Sequence, residues 1–485
     1  MAKKHRNQGV MLPEGYTGSS FFRKILEQAT SAFPEAFKNY ELPQQKAFKK
    51  YYAEAVVRFE ATRVGSEQRS EIAKYMVQST QEQLRYLGNG FDGLFNDYMA
   101  QEVKAASFET IDLKNKLGLK SEVSFRGKRY KGAALKDLAQ LLRSEHKITN
   151  KTAGAMNYMA ELAKSQSEGL DLSGKKFVVL GASAELAPTS LLLAAGATVL
   201  WIDVQEPSKF LDKHKNLAGK IVYAKDASDI LMQPKKIKAS IEAFADGDPV
   251  DICMFAYAAG ASQEWRLAAT MNGIIRSLKE DIVRSVSMLI SPTSAAVMQE
   301  EDLDCAKSGF AKPPIWQKAL QALGQLKTEV QFDGGNAKVA RAIVPLQGLS
   351  YQAAQYISKT LAAEVYATQG VNLQSAAKPI IVSANVAGIT KTRSLEHPIF
   401  QAAFIGAPTF GVEIFEVTCT QALSGLLLIH DLINEEQIAA QDLSQLFAQQ
   451  VHGGIYSRAF ALDPMIRIAT IMGLARKPQL LLKLF

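Results

Sequence analysis

Between Gly181 and Pro188 the chain reads Gly-Ala-Ser-Ala-Glu-Leu-Ala-Pro. A turn of small residues between an apolar run and a helix-length segment can aim backbone N–H groups, at the start of that helix, toward a phosphate. Gly181 suits a tight turn, and Ala187 is small enough for close helix–strand packing. Pro188 falls in the first helical turn, where its missing N–H costs little. Ser183, Glu185 and Leu186 are further turn residues expected to face a bound pyrophosphate. Glu185 occupies the place where a middle glycine would let the backbone approach it. A carboxylate at a helix N-terminus is itself stabilising, by roughly 0.3–1 kcal/mol, so it competes with phosphate for the same positive end. Two readings stay open here: dinucleotide binding in some form, and a phosphate site that has been altered or lost. Asp203 follows Gly181 by twenty-two residues and ends the next apolar run. There an acid accepts hydrogen bonds from the adenosine ribose and repels a 2′-phosphate, which favours NAD over NADP; an acid capping the next loop is the alternative. Asp226, after the third run, is a candidate neighbour of the adenine.

These residues need a sheet to position them. KFVVL at Lys176–Leu180 and TVLWID at Thr198–Asp203 are short apolar runs, as are KIVYA at Lys220–Ala224, VDICMF at Val250–Phe255 and VSMLI at Val286–Ile290. Helix-length sequence separates them, including a helix over Ala187–Ala195. Continuous β-rich runs alternating with helices predict a parallel sheet covered on both faces. Upstream, Ser19–Lys164 carries helical periodicity, as in Lys46–Ala61 and Ser66–Tyr98, with a small hairpin or strand pair expected at Val123–Lys131. The polar stretch Ser165–Gly174 reads as the boundary.

The chain has 485 residues, 47% of them hydrophobic and 21% charged, and a formal charge of +8. Its length argues against one small core, and its composition against disorder. Lysines and arginines are interleaved with acids along most of the chain, so no nucleic-acid partner is expected. Met1–Gly9 alone reads as a basic tail, a solvated terminus or a contact with an anionic partner. The three cysteines have no CxxC spacing and the six histidines no ligand spacing. Neither a disulfide framework nor a metal is expected, and a reducing, cytoplasmic setting is. No span or signal segment is read from the apolar stretches.

The ordered set GASAELAPTSLLLAAGATVLWID, YAAG (Tyr257–Gly260), MNGIIR (Met271–Arg276), SPTS (Ser291–Ser294), TLAAEVYATQGVN (Thr360–Asn372) and AGITKT (Ala387–Thr392) resembles the short-chain dehydrogenase/reductase superfamily from about Gly174 to Leu395. The resemblance implies a Rossmann-like doubly wound parallel sheet and an NAD(P)-linked oxidoreductase. It places Ala258 and Gly260 at the cofactor, Asn272 and Ser291 in the catalytic set, and Thr392 at the nicotinamide carboxamide. The chain departs from the family in its glycine loop, where Glu185 and Ala187 replace two of three glycines, and in having no YxxxK. The family's Tyr and Lys would fall near Gln347 and Tyr351. Lys359 lies eight residues after Tyr351, a rotation of only about 80° on an α-helix. A catalytic Tyr351/Lys359 pair with wider spacing, as in enoyl-reductase relatives, stands beside the reading of both as ordinary helix residues.

About sixty residues separate Ser291 from Tyr351, where the family usually has far fewer. This insert, at about 295–345, carries FAKPPIW at Phe310–Trp316, an amphipathic helix near Gln317–Lys327 and the turn Asp333–Asn336. It is expected either to lie over the active-site mouth or to pack on the N-terminal helices. Phe404–Val412 and the apolar helix Thr418–Ile433 fall where such a fold builds substrate pockets or the helices of a homo-oligomer. The expected architecture is therefore α/β, with a mostly helical region at 1–170 and a Rossmann-like domain at 171–485. The expected function is an NAD(H)-dependent oxidoreductase acting on a carbonyl, alcohol or enoyl group of a largely apolar small molecule. The alternatives are a non-catalytic scaffold or ligand sensor and, further off, an S-adenosylmethionine enzyme.

Overall fold

The computed structural model describes residues 8–115, 118–119, 121–165, 169–258, 260, 262–335, 337–372, 378–434, 443 and 445–483. The basic segment of the first seven residues, part of the Ser165–Gly174 boundary, Ala259 and Asn336 lie outside them. The central element is a seven-stranded sheet of β1 (Glu109–Asp112), β2 (Lys176–Leu180), β3 (Thr198–Ile202), β4 (Lys220–Tyr223), β5 (Val250–Met254), β6 (Val283–Ile290) and β7 (Ile381–Val386). Their order across the sheet is β7-β6-β5-β2-β3-β4-β1. All neighbours run parallel except β1, which pairs antiparallel with β4. The direction in which strands are added reverses between β2 and β5, so a crevice opens at their carboxyl ends.

The five apolar runs of the sequence are the strands β2 to β6. They are buried on both faces, with side chains alternating between two cores. Val178, Leu180, Leu200, Ile252 and Met254 enter one, and Phe177, Val179, Val199, Trp201 and Cys253 the other. The first core is capped by helices Gly18–Ala32, Gln45–Val64, Arg69–Gln83 and Gln263–Arg276 and by the long helix Leu349–Gln369. The second is capped by Leu135–Ser144, Asn150–Ser165 and Val417–Ile433. The N-terminal segment thus supplies helices to both faces and a strand to the sheet edge.

The helical expectation for Ser66–Tyr98 needs correction. The helix ends at Gln83, and Arg85–Gly88 pairs with Phe91–Leu94 in a hairpin. Its turn residues Asn89 and Gly90 both have positive φ, the Asn-Gly signature of a tight hairpin. Strand β1 was also not foreseen. It is short and charged, and its pairing is carried by cross-strand contacts at the edge: Tyr223 donates to Glu109 at 2.5 Å, and Lys220 lies 3.3 Å from Asp112. The Val123–Lys131 segment does form a hairpin, Glu122–Phe125 with Lys128–Lys131.

The insert adds helices Glu300–Ala311 and Ile315–Ala322 and the hairpin Gln331–Gly334/Ala337–Ala340. Of its two expected placements, the hairpin takes the second, against helix Gln45–Val64. A Cβ on Gly334 would come within 2.6 Å of the Ala61 carbonyl oxygen, so close packing of hairpin on helix requires glycine there.

Candidate active site

At the carboxyl end of β2, Gly181 turns with φ +89°, and its N–H donates to the Ile202 carbonyl at 2.8 Å. A Cβ there would lie 2.3 Å from the Ala256 backbone at the end of β5. Glycine is therefore demanded twice, by conformation and by the close approach of two strand ends. Gly181→Ala is expected to lower unfolding free energy by more than about 2 kcal/mol. Gly260→Ala, at φ +98° but with nothing within 4 Å of an added Cβ, should cost much less. Equal losses in paired urea titrations would contradict the close-approach argument.

Asp203 stands beside this turn. Its two carboxylate oxygens accept the backbone N–H groups of Ser183 at 2.9 Å and Gln205 at 2.8 Å. It thus ties the first turn to the end of β3 and caps its own loop, keeping further acceptor capacity on both oxygens. Turn N–H groups are also consumed internally, Ala184 on Gly181 and Ala187 on Ala184, and the helix that follows is only Thr189–Ala194. Leu186 is part of this turn and is half-buried. Glu185 reaches across the crevice to the loop after β7. Its carboxylate accepts the Arg393 backbone N–H at 3.1 Å and the Arg393 guanidinium Nε at 2.8 Å. Asp226 is exposed and pairs with Lys236 at 3.0 Å, so the structure does not bring it to the crevice.

The second group gathers at the ends of β5 and β6. The long helix runs from Leu349 to Gln369, with a π turn over Tyr356–Leu361 between two α segments. Thr360 Oγ1 donates to the Gln355 carbonyl at 3.2 Å, serving a backbone acceptor within the widened turn. A π turn takes up one extra residue, so the Tyr351-to-Lys359 offset falls from about 80° to roughly 20°, two turns apart on one face. Lys359 is buried, and its Nζ donates to the Leu289 carbonyl on β6 at 3.2 Å. Ser291, just beyond β6, is buried too. Its N–H donates to Gln355 Oε1 at 3.1 Å, and its hydroxyl lies 2.9 Å from that of Thr293.

Tyr351 is half-buried and within hydrogen-bonding range of Ser291. Burial drives its phenol well above the ordinary range, against a smaller lowering by the Ser291 hydrogen bond. The residue that joins the set unannounced is Glu264, in the first turn of helix Gln263–Arg276. It is buried, and its carboxylate accepts the Ala258 N–H at 3.0 Å. Burial raises its pKa to about 7, opposed by Lys359 and by the Ala258 hydrogen bond. Burial likewise pushes the Lys359 ammonium down, with Glu264 opposing it. Glu264 acts on both Tyr351 and Lys359 and links them electrostatically. The sequence signal for it was slight: an acid in the first turn of the helix that follows YAAG.

Asn272 is not part of this cluster. Two helical turns from Glu264, it donates to the Ser358 carbonyl at 2.8 Å and accepts from Tyr366 at 2.9 Å. Both polar ends of its amide thereby join the two helices. Ala258 contributes its backbone N–H to Glu264, and Gly260 lies exposed beside it. Thr392 starts the turn Arg393–Leu395, its hydroxyl 2.9 Å from that of Ser394, and Ser394 in turn hydrogen-bonds Tyr257. The loop after β7 therefore touches the ends of both β2 and β5.

The described residues contain no group of His, Cys, Asp and Glu suited to a metal, and no helix long and apolar enough to cross a membrane. In comparisons with known proteins, no family model matches the chain and no curated protein matches it significantly.

Proposed function

We propose that the chain is an NAD(H)-linked oxidoreductase of short-chain dehydrogenase type, acting on a carbonyl, alcohol or enoyl group of a largely apolar small molecule. The observation that carries this reading is the convergence of Tyr351, Ser291, Glu264 and Lys359 beside the crevice where strand addition reverses. The order of the six parallel strands supports this reading, being compatible with a doubly wound dinucleotide fold. Asp203 would hold the ribose hydroxyls and Thr392 would border the nicotinamide. When bound, the cofactor supplies or accepts a hydride. The chain's own part is the proton: Tyr351, kept protonated by burial, donates to the substrate oxygen with Ser291 as second donor. Glu264, poised near neutrality, exchanges that proton onward, and Lys359 stabilises its charged form.

The phosphate crossing is where the fit is strained. The Gly181–Ala187 turn presents a carboxylate already engaged by Arg393 rather than a free anion site. That pair is partly exposed, with Arg393 at 72% and Glu185 at 25% of side-chain surface, so it is worth at most about 1 kcal/mol. Arginine also grips phosphate as readily as carboxylate. The expected result is weak NADH binding by the wild type and affinity raised by up to about five-fold in Glu185→Gln, read by calorimetry. Absence of saturable binding in both proteins at millimolar NADH would defeat the oxidoreductase reading.

The Glu185–Arg393 bridge also favours a second reading, a non-catalytic scaffold or ligand sensor whose cofactor crevice is held closed. It predicts that Glu185→Gln gains affinity without any turnover.

A further inference from the structure

Helix Leu462–Arg476 packs against helix Pro398–Gly406 through small residues. A Cβ on Gly406 would sit 1.8 Å from the Ala469 carbonyl oxygen, and one on Gly473 at the same distance from that of Ala402. The packed face is thus accounted for, and the opposite face is unlike an ordinary solvated one. Its exposed positions include Arg467, Ile471 and Ala475, one stripe at a spacing of four residues. The chain then continues into the 3₁₀ segment Pro478–Lys483, where Leu481 and Leu482 are exposed. Ile471, Leu481 and Leu482 keep 62%, 43% and 81% of their surface in solvent.

The charges between them have one sign. Arg467, Lys477 and Lys483 are exposed, Arg476 is turned onto the neighbouring helix where it donates to the Ile405 carbonyl at 3.0 Å, and no Asp or Glu occurs after Asp463. Asp463 itself is committed to Arg341 by hydrogen bonds of 2.9 and 3.0 Å. Exposed aliphatic side chains set among cations, with no acid in the same stretch of chain, match a surface that is negative outside and apolar just beneath.

We infer that this C-terminal end docks on an anionic lipid surface, with Ile471, Leu481 and Leu482 entering the headgroup boundary and Arg467, Lys477 and Lys483 contacting lipid phosphates. The inference stands apart from the proposed reaction.

The protein should float with phosphatidylserine-containing vesicles at low salt, remain behind with pure phosphatidylcholine vesicles, and be released by raised salt. Replacing Lys477 and Lys483 by serine should lower partitioning by about thirty-fold, at ~1 kcal/mol per surface cation, and Leu482→Ser should lower it further. All three side chains are exposed, so an unchanged thermal transition verifies folding. The inference falls if the wild type does not bind anionic vesicles, or if neutral and anionic vesicles bind alike. It also falls if sedimentation shows a dimer that Leu482→Ser dissolves, since a second copy would then be what covers the patch.

Discussion

Arg63→Met is expected to lower the unfolding free energy at pH 7 by about 3–5 kcal/mol. Arg63 is fully buried on helix Gln45–Val64 and grips two carboxylates. Its guanidinium donates to Glu60 at 2.7 and 2.8 Å and to Glu364 at 2.8 and 2.9 Å. Arg69 adds a contact to Glu364 at 2.5 Å, and Tyr356 donates to Glu60 at 2.6 Å. Methionine would leave two carboxylates in the interior with their principal cation removed, which is far costlier than never having buried the pair. The network joins an N-terminal helix to the long helix carrying Tyr351 and Lys359, so the same variant should disturb the site.

The pH dependence follows from Glu364, which Arg63 and Arg69 hold down from 4.5 to about 2 against the opposing effect of its burial. A depressed carboxylate contributes stability that is fully present above pH 4.5 and is lost as pH falls toward 2. The drop represents on the order of 3 kcal/mol. In the variant, Glu364 keeps only Arg69 and can relieve its under-compensated buried charge by taking up a proton, so the difference between the proteins should shrink between pH 7 and about pH 4. Urea unfolding at the two pH values measures this. A loss that is small, or that does not change with pH, would mean the network contributes packing only.

Tyr351→Phe is expected to reduce turnover by about 10²–10⁴-fold with little change in substrate affinity or thermal stability. The assay is NADH oxidation with apolar aldehydes, ketones and enoyl thioesters. Phenylalanine keeps the ring and removes the only proton the tyrosine could give. Because Glu264 titrates at about 7, the rate of the wild type should change through neutrality, and Glu264→Gln should flatten that limb. The sign for stability runs the other way. Glu264 is raised from 4.5 to about 7, so the folded state loses stability as pH rises through that interval. Glu264→Gln should therefore be the more stable protein above pH 7, a trade of stability for chemistry. Full turnover in Tyr351→Phe with a measurable substrate would remove Tyr351 from the reaction.

Much of the central sheet was legible because its strands, buried on both faces, are written as uninterrupted apolar runs. Lys176–Leu180 and Thr198–Ile202 could hardly be anything else between helix-length segments. Gly181 was legible for a related reason, since a glycine directly after such a run marks a turn at a strand end. The hairpin at Asn89-Gly90 was legible in principle, but the helical periodicity before it was extended too far. The edge strand Glu109–Asp112 was not, because charged edge residues obey pairing partners rather than an apolar pattern.

The candidate site divides along the same line. Residue types and order along the chain suggested Ser291, Tyr351 and Lys359; Tyr351 is within hydrogen-bonding range of Ser291, and Lys359 is linked to Tyr351 through Glu264. Asn272 shared the motif logic yet is spent on Ser358 and Tyr366, a role set by the neighbouring helix. The phase of Tyr351 against Lys359 depends on a π turn that local sequence does not announce. Glu264 became chemically interesting only through burial beside Lys359, and Glu185 found a partner 208 residues away.

What the sequence determined alone is the alternating α/β order, the positions of the strands and the demand for glycine at residue 181, because each follows from local periodicity or backbone sterics. What only the tertiary structure decided is which acids are paired and which are poised. Charge interactions and desolvation depend on distance through space and on the surrounding dielectric, and neither is encoded by separation along the chain.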